Sequence, residues 1–177
     1  MDGMTVPART INARPLTREA FADFGDVIET DGARHYPING GKCERYHDLA
    51  KVEALGPGGH VLINIFRGTP YPIPLTLTLV ERHPFGSQAF MPLSPRPFLV
   101  VVAPDEGGWP GPPRAFLVKP DGNSLVGINY HRNVWHHPLI SLEGTSEFLI
   151  VDRGGEGNNL DEFSFEHSYW IESLGDD

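Results

Sequence analysis

The sequence predicts a mainly all-β protein, a β-barrel or double-sheet jelly roll with one short N-terminal helix. The 20 Gly and 17 Pro of the 177-residue chain are spread along it and are not concentrated in one tract. They separate many short apolar or alternating runs, which is typical of strands joined by turns. Hydrophobic residues make up 40% of the chain and charged residues 21%, as in ordinary globular proteins. We expect a single domain over residues 1–177.

One convincing helix start lies in the N-terminal stretch LTREAFADFG. Thr17 is placed as an N-cap, and Leu16 and Phe21 are spaced as a hydrophobic staple. Gly25 stands where a C-terminal glycine would end the helix. A second helical turn is expected within residues 47–55, ended by the sequence GPGG.

Strands dominate the rest of the chain. Short apolar or alternating runs occupy residues 60–68, 74–84, 89–93, 97–104, 115–120, 123–130, 134–142 and 146–153. The segments between them are dense in Gly and Pro, the residues that turns require. Strands at this spacing favour a sandwich or a closed barrel of the jelly-roll type.

The charge of the chain excludes several kinds of partner. The formal net charge is −9, and no segment clusters Lys and Arg. We therefore expect neither nucleic acid nor an anionic membrane as a partner, because both require a basic surface. The single cysteine, Cys43, cannot form an intramolecular disulfide, and neither a signal-like opening nor a membrane-spanning apolar run is visible. We expect a cytoplasmic protein.

The run LTLTLVERHP contains the first candidate site. Alternation along a strand places Glu81 and His83 on the same face as the three leucines. If that face is buried, a carboxylate and an imidazole point inward, which is rare unless such groups are paired, bind a ligand or catalyse. Alternatively, the strand ends at Val80 and both residues are solvated in a loop. Gln88 could return to the same region.

The second candidate site is GINYHRNVWHHP, which holds three of the eight histidines. Alternation favours His136 pointing inward and His137 outward, but the aromatic and apolar neighbours leave this choice open. His131 precedes a turn and could face either way. One such histidine is more often structural than functional. Two inward histidines with a carboxylate nearby would suit Zn, Ni, Mn or Fe, although the strong local patterns HExxH and CxxC are missing.

Arginines are the natural partners of a substrate carboxylate, because the guanidinium group matches it with two parallel hydrogen bonds. Arg45, Arg82 and Arg132 are the candidates. Strand alternation places Arg82 on the outer face, which argues against it. The glycine-rich DRGGEGNN lacks the spacing of a phosphate-binding loop and favours a tight turn.

Three stretches, LVERHPFGSQAFMPL, GINYHRNVWHHPLISL and FLIVDRGGEGNNLDE, together with the N-terminal PLTREAFADFGDVIE, resemble the ureidoglycolate lyase family, also called ureidoglycolate hydrolase. The resemblance implies a cupin-like β-barrel that acts as a homodimer in allantoin degradation. The implied enzyme is a carbon–nitrogen lyase that splits ureidoglycolate, a small carboxylate, into glyoxylate and urea. It also implies that ERHPFGSQAF is a reduced first cupin motif and that GINYHRNVWHHP is the second.

The chemistry of this substrate, which needs a general base and a general acid, leads to a hypothesis for individual residues. We expect His83, His136 and Glu81 as catalytic groups. We expect five substrate-binding residues, which are Arg45, Arg82, Gln88, Tyr130 and His131. If a metal binds, its ligands would be His83, Gln88 and His136 or His137, with nickel as the family's candidate cofactor. Two rival readings stay open: another metal-dependent cupin enzyme, a dioxygenase or isomerase, and a non-catalytic cupin that binds small carboxylates.

Overall fold

The computed structural model describes residues 9–120, 122 and 124–175. Two predictions reach beyond these ranges: the domain limits at residues 1 and 177, and the strand 123–130 at its first residue. In chain order the elements are β1 (Thr10–Asn12), β2 (Arg14–Pro15), α1 (Arg18–Phe21), β3 (Gly25–Ile28), β4 (His35–Ile38), a 3-10 turn (Asn39–Gly41), β5 (Cys43–Tyr46), β6 (His60–Gly68), β7 (Leu75–Arg82), β8 (Gln88–Pro92), β9 (Phe98–Ala103), β10 (Asp105–Glu106), β11 (Trp109–Pro110), β12 (Arg114–Val118), β13 (Gly127–Tyr130), β14 (Trp135–His136), β15 (Ile140–Ser141), β16 (Ser146–Gly154) and β17 (Asp161–Ser173). The predicted mainly all-β class is confirmed. None of the helical residues in the described ranges belongs to a helix long and apolar enough to cross a membrane.

The larger sheet curls into a nearly closed barrel. Its strands run in the order β1, β17, β7, β14, β9, β12, β2, and β15 also pairs with β9. Because only Ala13 separates β1 from β2, the two ends of this sheet meet. The side chains enclosed by the curl form an apolar cluster: Ala13, Leu75, Leu77, Leu99, Val101, Ala115, Ile140 and Ile171.

A second sheet, ordered β3, β13, β8, β16, β6, packs against the outside of this barrel. The layer between the two sheets joins Phe98, Val100 and Val102 of β9 to Ile128, Phe148 and Ile150 of the second sheet. Both faces of β9 are therefore buried, and all of its residues are inaccessible to solvent. This explains why FLVVVA is an uninterrupted apolar run. Each such side chain contributes about 1.5–3 kcal/mol through burial.

The N-terminal helix begins as predicted but ends differently. The Thr17 hydroxyl accepts a hydrogen bond from the backbone N–H of Ala20 at 3.1 Å, which is N-cap geometry. The helix ends at Phe21, whose ring is fully buried between the sheets. The prediction that Gly25 ends the helix is wrong. Gly25 is the first residue of β3, and a Cβ there would overlap the carbonyl oxygen of Asn129 on β13, so glycine permits a close strand approach.

The helical turn predicted within residues 47–55 is also wrong. These residues form an extended strap whose backbone groups bond to the second sheet and to the β7–β8 turn. Lys51 N–H donates to Asp26 at 3.0 Å, Glu53 N–H to the Ser87 hydroxyl at 2.7 Å, and Leu55 N–H to the Phe85 carbonyl at 2.8 Å. These tertiary hydrogen bonds replace the ones that a helix would have supplied.

Most predicted strands lie within a few residues of the observed ones, and β6 has the predicted bounds. The predicted strand 134–142 is divided into β14 and β15. Sequence analysis missed the small strands before residue 60 and also missed β17, which has 13 residues. Most of its side chains are exposed, and its acidic and polar residues hide the alternation that marks a half-buried strand.

Candidate active site

The site lies where β14 joins the two halves of the barrel sheet. His136 pairs with Glu81 of β7 on one side and with Val102 of β9 on the other. Directly opposed residues share a face of the sheet. Because Val102 belongs to the layer between the sheets, Glu81 and His136 also face the second sheet.

The argument that placed Glu81 on the leucine face is therefore wrong in its geometry, although the carboxylate is half-buried as expected. Leu77 and Val80 are both fully buried, and both pack on the interior side of the barrel. Three residues apart, they could not share a face of a regular strand. The alternation of β7 is interrupted between them, and this turns Glu81 away from Leu75 and Leu77.

Glu81, His83 and His136 converge, with one ligand atom of each lying within 4.8 Å of the others. His136 Nε2 lies 3.7 Å from Glu81 Oε1, and the two imidazole rings are 5.1 Å apart. The Nδ1 atoms lie 2.9 Å from backbone carbonyls, that of His83 from Asn159 and that of His136 from Val134. A carbonyl only accepts, so Nδ1 carries the proton in each neutral ring and Nε2 presents a lone pair. Both Nε2 atoms are buried without a hydrogen-bond partner.

Burial shifts the pKa values of His136 and Glu81 in opposite directions. It lowers the pKa of His136 to about 3, and the neighbouring His83 contributes to the same shift. His136 is therefore neutral near pH 7. Burial raises the pKa of Glu81, against the attraction of His83, and Glu162 adds to the rise. A carboxyl group whose pKa is raised towards neutrality is suited to proton transfer.

Tyr130 supports the His136 ring from the second sheet. The two rings are stacked at 4.2 Å with an interplanar angle of 15°. Burial raises the pKa of the Tyr130 hydroxyl above its ordinary value, and Glu81 adds to the effect, so this side chain is a neutral phenol. The contact of Tyr130 with the site is therefore this stacking on the His136 ring.

The donor set fits a divalent transition metal. Two imidazole nitrogens and one carboxylate are ligands that Zn, Ni and Fe accept. Metal-bound histidines usually donate their other ring N–H to a carboxylate or backbone carbonyl, as both imidazoles do here. The unpartnered buried Nε2 atoms would gain their missing interaction from such an ion.

A cleft of about 760 Å³ leads to this cluster, a volume within the range of small-molecule sites. Glu81 and Gln88 line it, together with residues of β6 and of the loop after β6. Gln88 Nε2 lies 3.4 Å from Asp152 Oδ2, and Asn64 donates to the other oxygen of that carboxylate at 2.9 Å. The residues that line the cleft include Phe66, Tyr71, Glu81, Gln88, Phe90 and Leu139.

Other residues expected at the site lie elsewhere. Arg82 forms ion pairs with Asp105 and Asp161, and Arg45 is exposed on β5. His131 lies 3.0 Å from Asp26. Of the two alternatives left open in the second motif, His136 joins the cluster and His137 packs edge-on against Tyr71.

Asn159 is a site residue that sequence analysis missed. Its carbonyl accepts from His83, and its side-chain oxygen accepts from the Phe85 N–H at 2.8 Å. It thereby holds the segment after β7 that carries His83. The glycine-rich turn in which it lies gave no local signal for this role, because the contact joins positions 76 residues apart in the chain.

The fold and the cluster define a cupin-like barrel whose cleft is equipped for acid–base or metal-assisted chemistry on a small molecule. Residues 8–172 match the family model described as ureidoglycolate lyase, and the chain belongs to that family. A ureidoglycolate lyase from Mesorhizobium japonicum is 65% identical over 161 residues, which cover 91% of this chain and 96% of the relative. Proteins with the same name from Chelativorans sp. and Brucella ovis are 58% and 57% identical, over 92% and 93% of this chain and 96% and 95% of theirs.

Proposed function

We propose that the protein is a ureidoglycolate lyase, which cleaves ureidoglycolate to glyoxylate and urea in allantoin degradation. The observation that carries the proposal is the meeting of two unpartnered imidazole nitrogens with Glu81, whose side chain lines a cleft. Membership in the family supplies the substrate. The cluster supplies the chemistry that this substrate needs.

The reaction moves one proton from oxygen to nitrogen. Loss of the hydroxyl proton lets the new carbonyl of glyoxylate form as the C–N bond breaks. The departing nitrogen takes a proton and leaves as urea. A general base and a general acid therefore suffice, and each typically contributes about 10²–10⁴-fold to the rate.

The cluster offers one group for each role. The Nε2 lone pair of His83 accepts the hydroxyl proton, because Nδ1 is already committed to Asn159. Glu81, whose pKa is raised by burial, donates a proton to the departing nitrogen. His136 is kept neutral, and its Nε2 atom lies 3.7 Å from Glu81 Oε1. Gln88 lines the cleft and contacts the polar groups of the substrate. Arg45, Arg82, Tyr130 and His131 are not among the lining residues, and the two histidines of the cluster meet the cleft through their neighbour Glu81.

The same three side chains would hold a divalent cation, and nickel is the first candidate to add. When bound, the cation would supply Lewis-acid activation of the oxygens of the substrate. Metal binding and proton transfer by His83 or Glu81 use the same lone pairs. Chelation therefore separates the two ways in which the cluster could serve the reaction.

The test is a product assay on purified protein as isolated, after treatment with EDTA, and after reloading with Ni²⁺. Glyoxylate, urea and ammonia are measured separately against the spontaneous reaction. We expect equal amounts of glyoxylate and urea without ammonia. Ammonia release would identify a hydrolase, and absence of product above the spontaneous rate under all three conditions would refute the proposal.

We propose that two copies of the chain associate through β6. This strand is the edge of the second sheet. Three of its apolar residues are largely exposed to solvent, with exposed fractions of 53% for Val61, 71% for Ile63 and 53% for Ile65. An exposed apolar edge strand invites pairing with an identical strand across a twofold axis. Sedimentation should give a dimer, and Ile63→Asp should dissociate it, whereas Leu160→Asp, at an exposed site before β17, should not. A wild-type monomer would contradict the interface.

We place the enzyme in the cytoplasm. Its one cysteine, Cys43, is an exposed free thiol, the form that reducing compartments maintain. Fractionation of cells, with a cytoplasmic marker enzyme followed in parallel, tests this placement. Recovery with periplasmic or secreted proteins would contradict it.

A further inference from the structure

Arg82 of β7 and Trp135 of β14 lie on the opposite face of these strands from Glu81 and His136. Both contact Asp105 of β10, and Arg82 also contacts Asp161 of β17; we call these four side chains the rear clamp. Arg82 immediately follows Glu81, and Trp135 immediately precedes His136. The guanidinium lies 4.2 Å above the Trp135 ring. It donates from Nη1 to Asp105 and from Nε to Asp161, both at 3.1 Å.

The rear clamp is a closed ring of contacts. Asp105 Oδ1 accepts from Arg82 Nη1 and also from the indole N–H of Trp135, again at 3.1 Å. The stacked guanidinium completes the ring. The Arg82 side chain is only 16% exposed, so these contacts are partly shielded from water. The planar guanidinium of Arg82 makes charge-assisted hydrogen bonds and a cation–π contact at the same time. Together these contacts restrict its orientation more than separate surface ion pairs would.

Few backbone contacts hold Glu81 and His136 in register. β14 has two residues and meets β7 through the pair His136–Glu81, and just outside the two strands the Asn133 N–H donates to the His83 carbonyl at 2.9 Å. Because side chains alternate between faces, a slip of one residue would replace Glu81 or His136 with a group from the opposite face. So short a ladder gives little protection against such a slip.

We propose that the rear clamp fixes the register of β7 against β14 and thereby sets the position of the Glu81 carboxylate relative to His136. Arg82 is then a positioning residue and does not contact the substrate. The kinetic part of this inference rests on the proposed lyase function. Two other readouts of the cluster, Ni²⁺ affinity and the imidazole NMR signals, do not.

The experiment compares Arg82→Gln, Arg82→Lys and Asp105→Asn with the control Arg18→Gln. Arg18 also pairs with a carboxylate, that of Glu29, but lies on α1. Four quantities are measured: kcat and KM for ureidoglycolate, the Ni²⁺ affinity of the metal-free protein, the Hε1 resonances of His83 and His136, and the midpoint of thermal unfolding.

Arg82→Gln should lower kcat and weaken Ni²⁺ binding about 10- to 100-fold each, the usual effect of losing an outer-shell support. KM should stay within about twofold, because the bound substrate is not touched. The Hε1 resonances of both imidazoles should move. Arg82→Lys should recover part of each loss, since it keeps the charge and loses the fork, and Asp105→Asn should act in the same direction. Arg18→Gln should change none of the cluster readouts.

A rise in KM with kcat preserved in Arg82→Gln would overturn the inference, because it would mean direct contact with substrate. A lower unfolding midpoint with unchanged kcat, Ni²⁺ affinity and imidazole resonances would also overturn it, because the clamp would then serve stability alone. If the wild-type protein fails to turn over ureidoglycolate, the lyase proposal fails separately. The imidazole resonances of the folded variants still decide the role of the clamp.

Discussion

Replacing Gly25 with alanine tests how closely β3 approaches β13. The added Cβ would overlap the Asn129 carbonyl oxygen and would lie 3.0 Å from the Phe21 ring. The Cβ would lie 1.9 Å from that oxygen, so full relief requires a separation of about 1.5–2 Å, since non-bonded contacts are optimal only near 3.5–4 Å. The strain of overpacking is about 1–3 kcal/mol, and each weakened ladder hydrogen bond adds about 1 kcal/mol. We expect Gly25→Ala to lower the free energy of unfolding by about 2–4 kcal/mol.

Urea denaturation followed by circular dichroism measures this change, and the lyase assay shows whether it reaches the site. Tyr130 pairs with Gly25 and stacks on His136, so a moved β13 should also lower kcat. Gly40→Ala is the control, because Gly40 has a φ of 66° but open space around it. It should cost only the roughly 1–2 kcal/mol of a left-handed conformation and leave kcat unchanged. A stability loss below that of Gly40→Ala would refute the close-approach argument.

Three further substitutions test the fold around the site. Thr17→Ala removes the N-cap of α1 and should lower the free energy of unfolding by about 1 kcal/mol, seen as a drop of about 2–4 °C in Tm. Burial alone would raise the pKa of Asp26, but hydrogen bonds from Lys51 and Asn129 and the nearby His131 hold it below its ordinary value of 3.8. Its stabilisation is therefore present above pH 3.8 and lost as the pH falls further, so Asp26→Asn should differ most from the wild type near pH 7 and converge with it in acid. Equal stabilities of Asp26→Asn and the wild type at pH 7 would contradict this expectation. Arg153→Met leaves the carbonyls of Leu55, Pro57 and Glu156 without their hydrogen-bond donor. It should lower the free energy of unfolding, measured by urea denaturation, by about 3 kcal/mol. A loss below about 1 kcal/mol would show that water replaces the guanidinium.

Local sequence signals predicted the strands and the helix start because those signals act over a few residues. The strap within residues 47–55 shows where they fail. Its backbone bonds to Asp26, Ser87 and Phe85, which are distant in sequence, and these contacts override its helical propensity. The role of Gly25 was misread for a similar reason, since the close approach to Asn129 involves a strand about a hundred residues later.

The three members of the cluster were all named from the sequence, but the argument that placed them was only partly sound. Alternation along β7 predicted an inward carboxylate, yet an irregularity between Leu77 and Val80 decides the face on which Glu81 lies. Such an irregularity follows from packing on both sides of the strand and has no local sequence signature. The choice of His136 over His137 likewise depends on which neighbour meets Glu81 across the sheet.

The most direct test of the account is the kcat/KM for glyoxylate formation in three variants, Glu81→Gln, His83→Gln and His136→Gln, with His137→Gln as the matched control. His137 is also buried and adjoins His136 in the sequence, but it is not part of the cluster. We expect each cluster variant to lose at least about 100-fold and the control to stay within a few-fold of the wild type. If His83→Gln and His136→Gln both remain within a few-fold of the wild type, the cluster is not the catalytic centre.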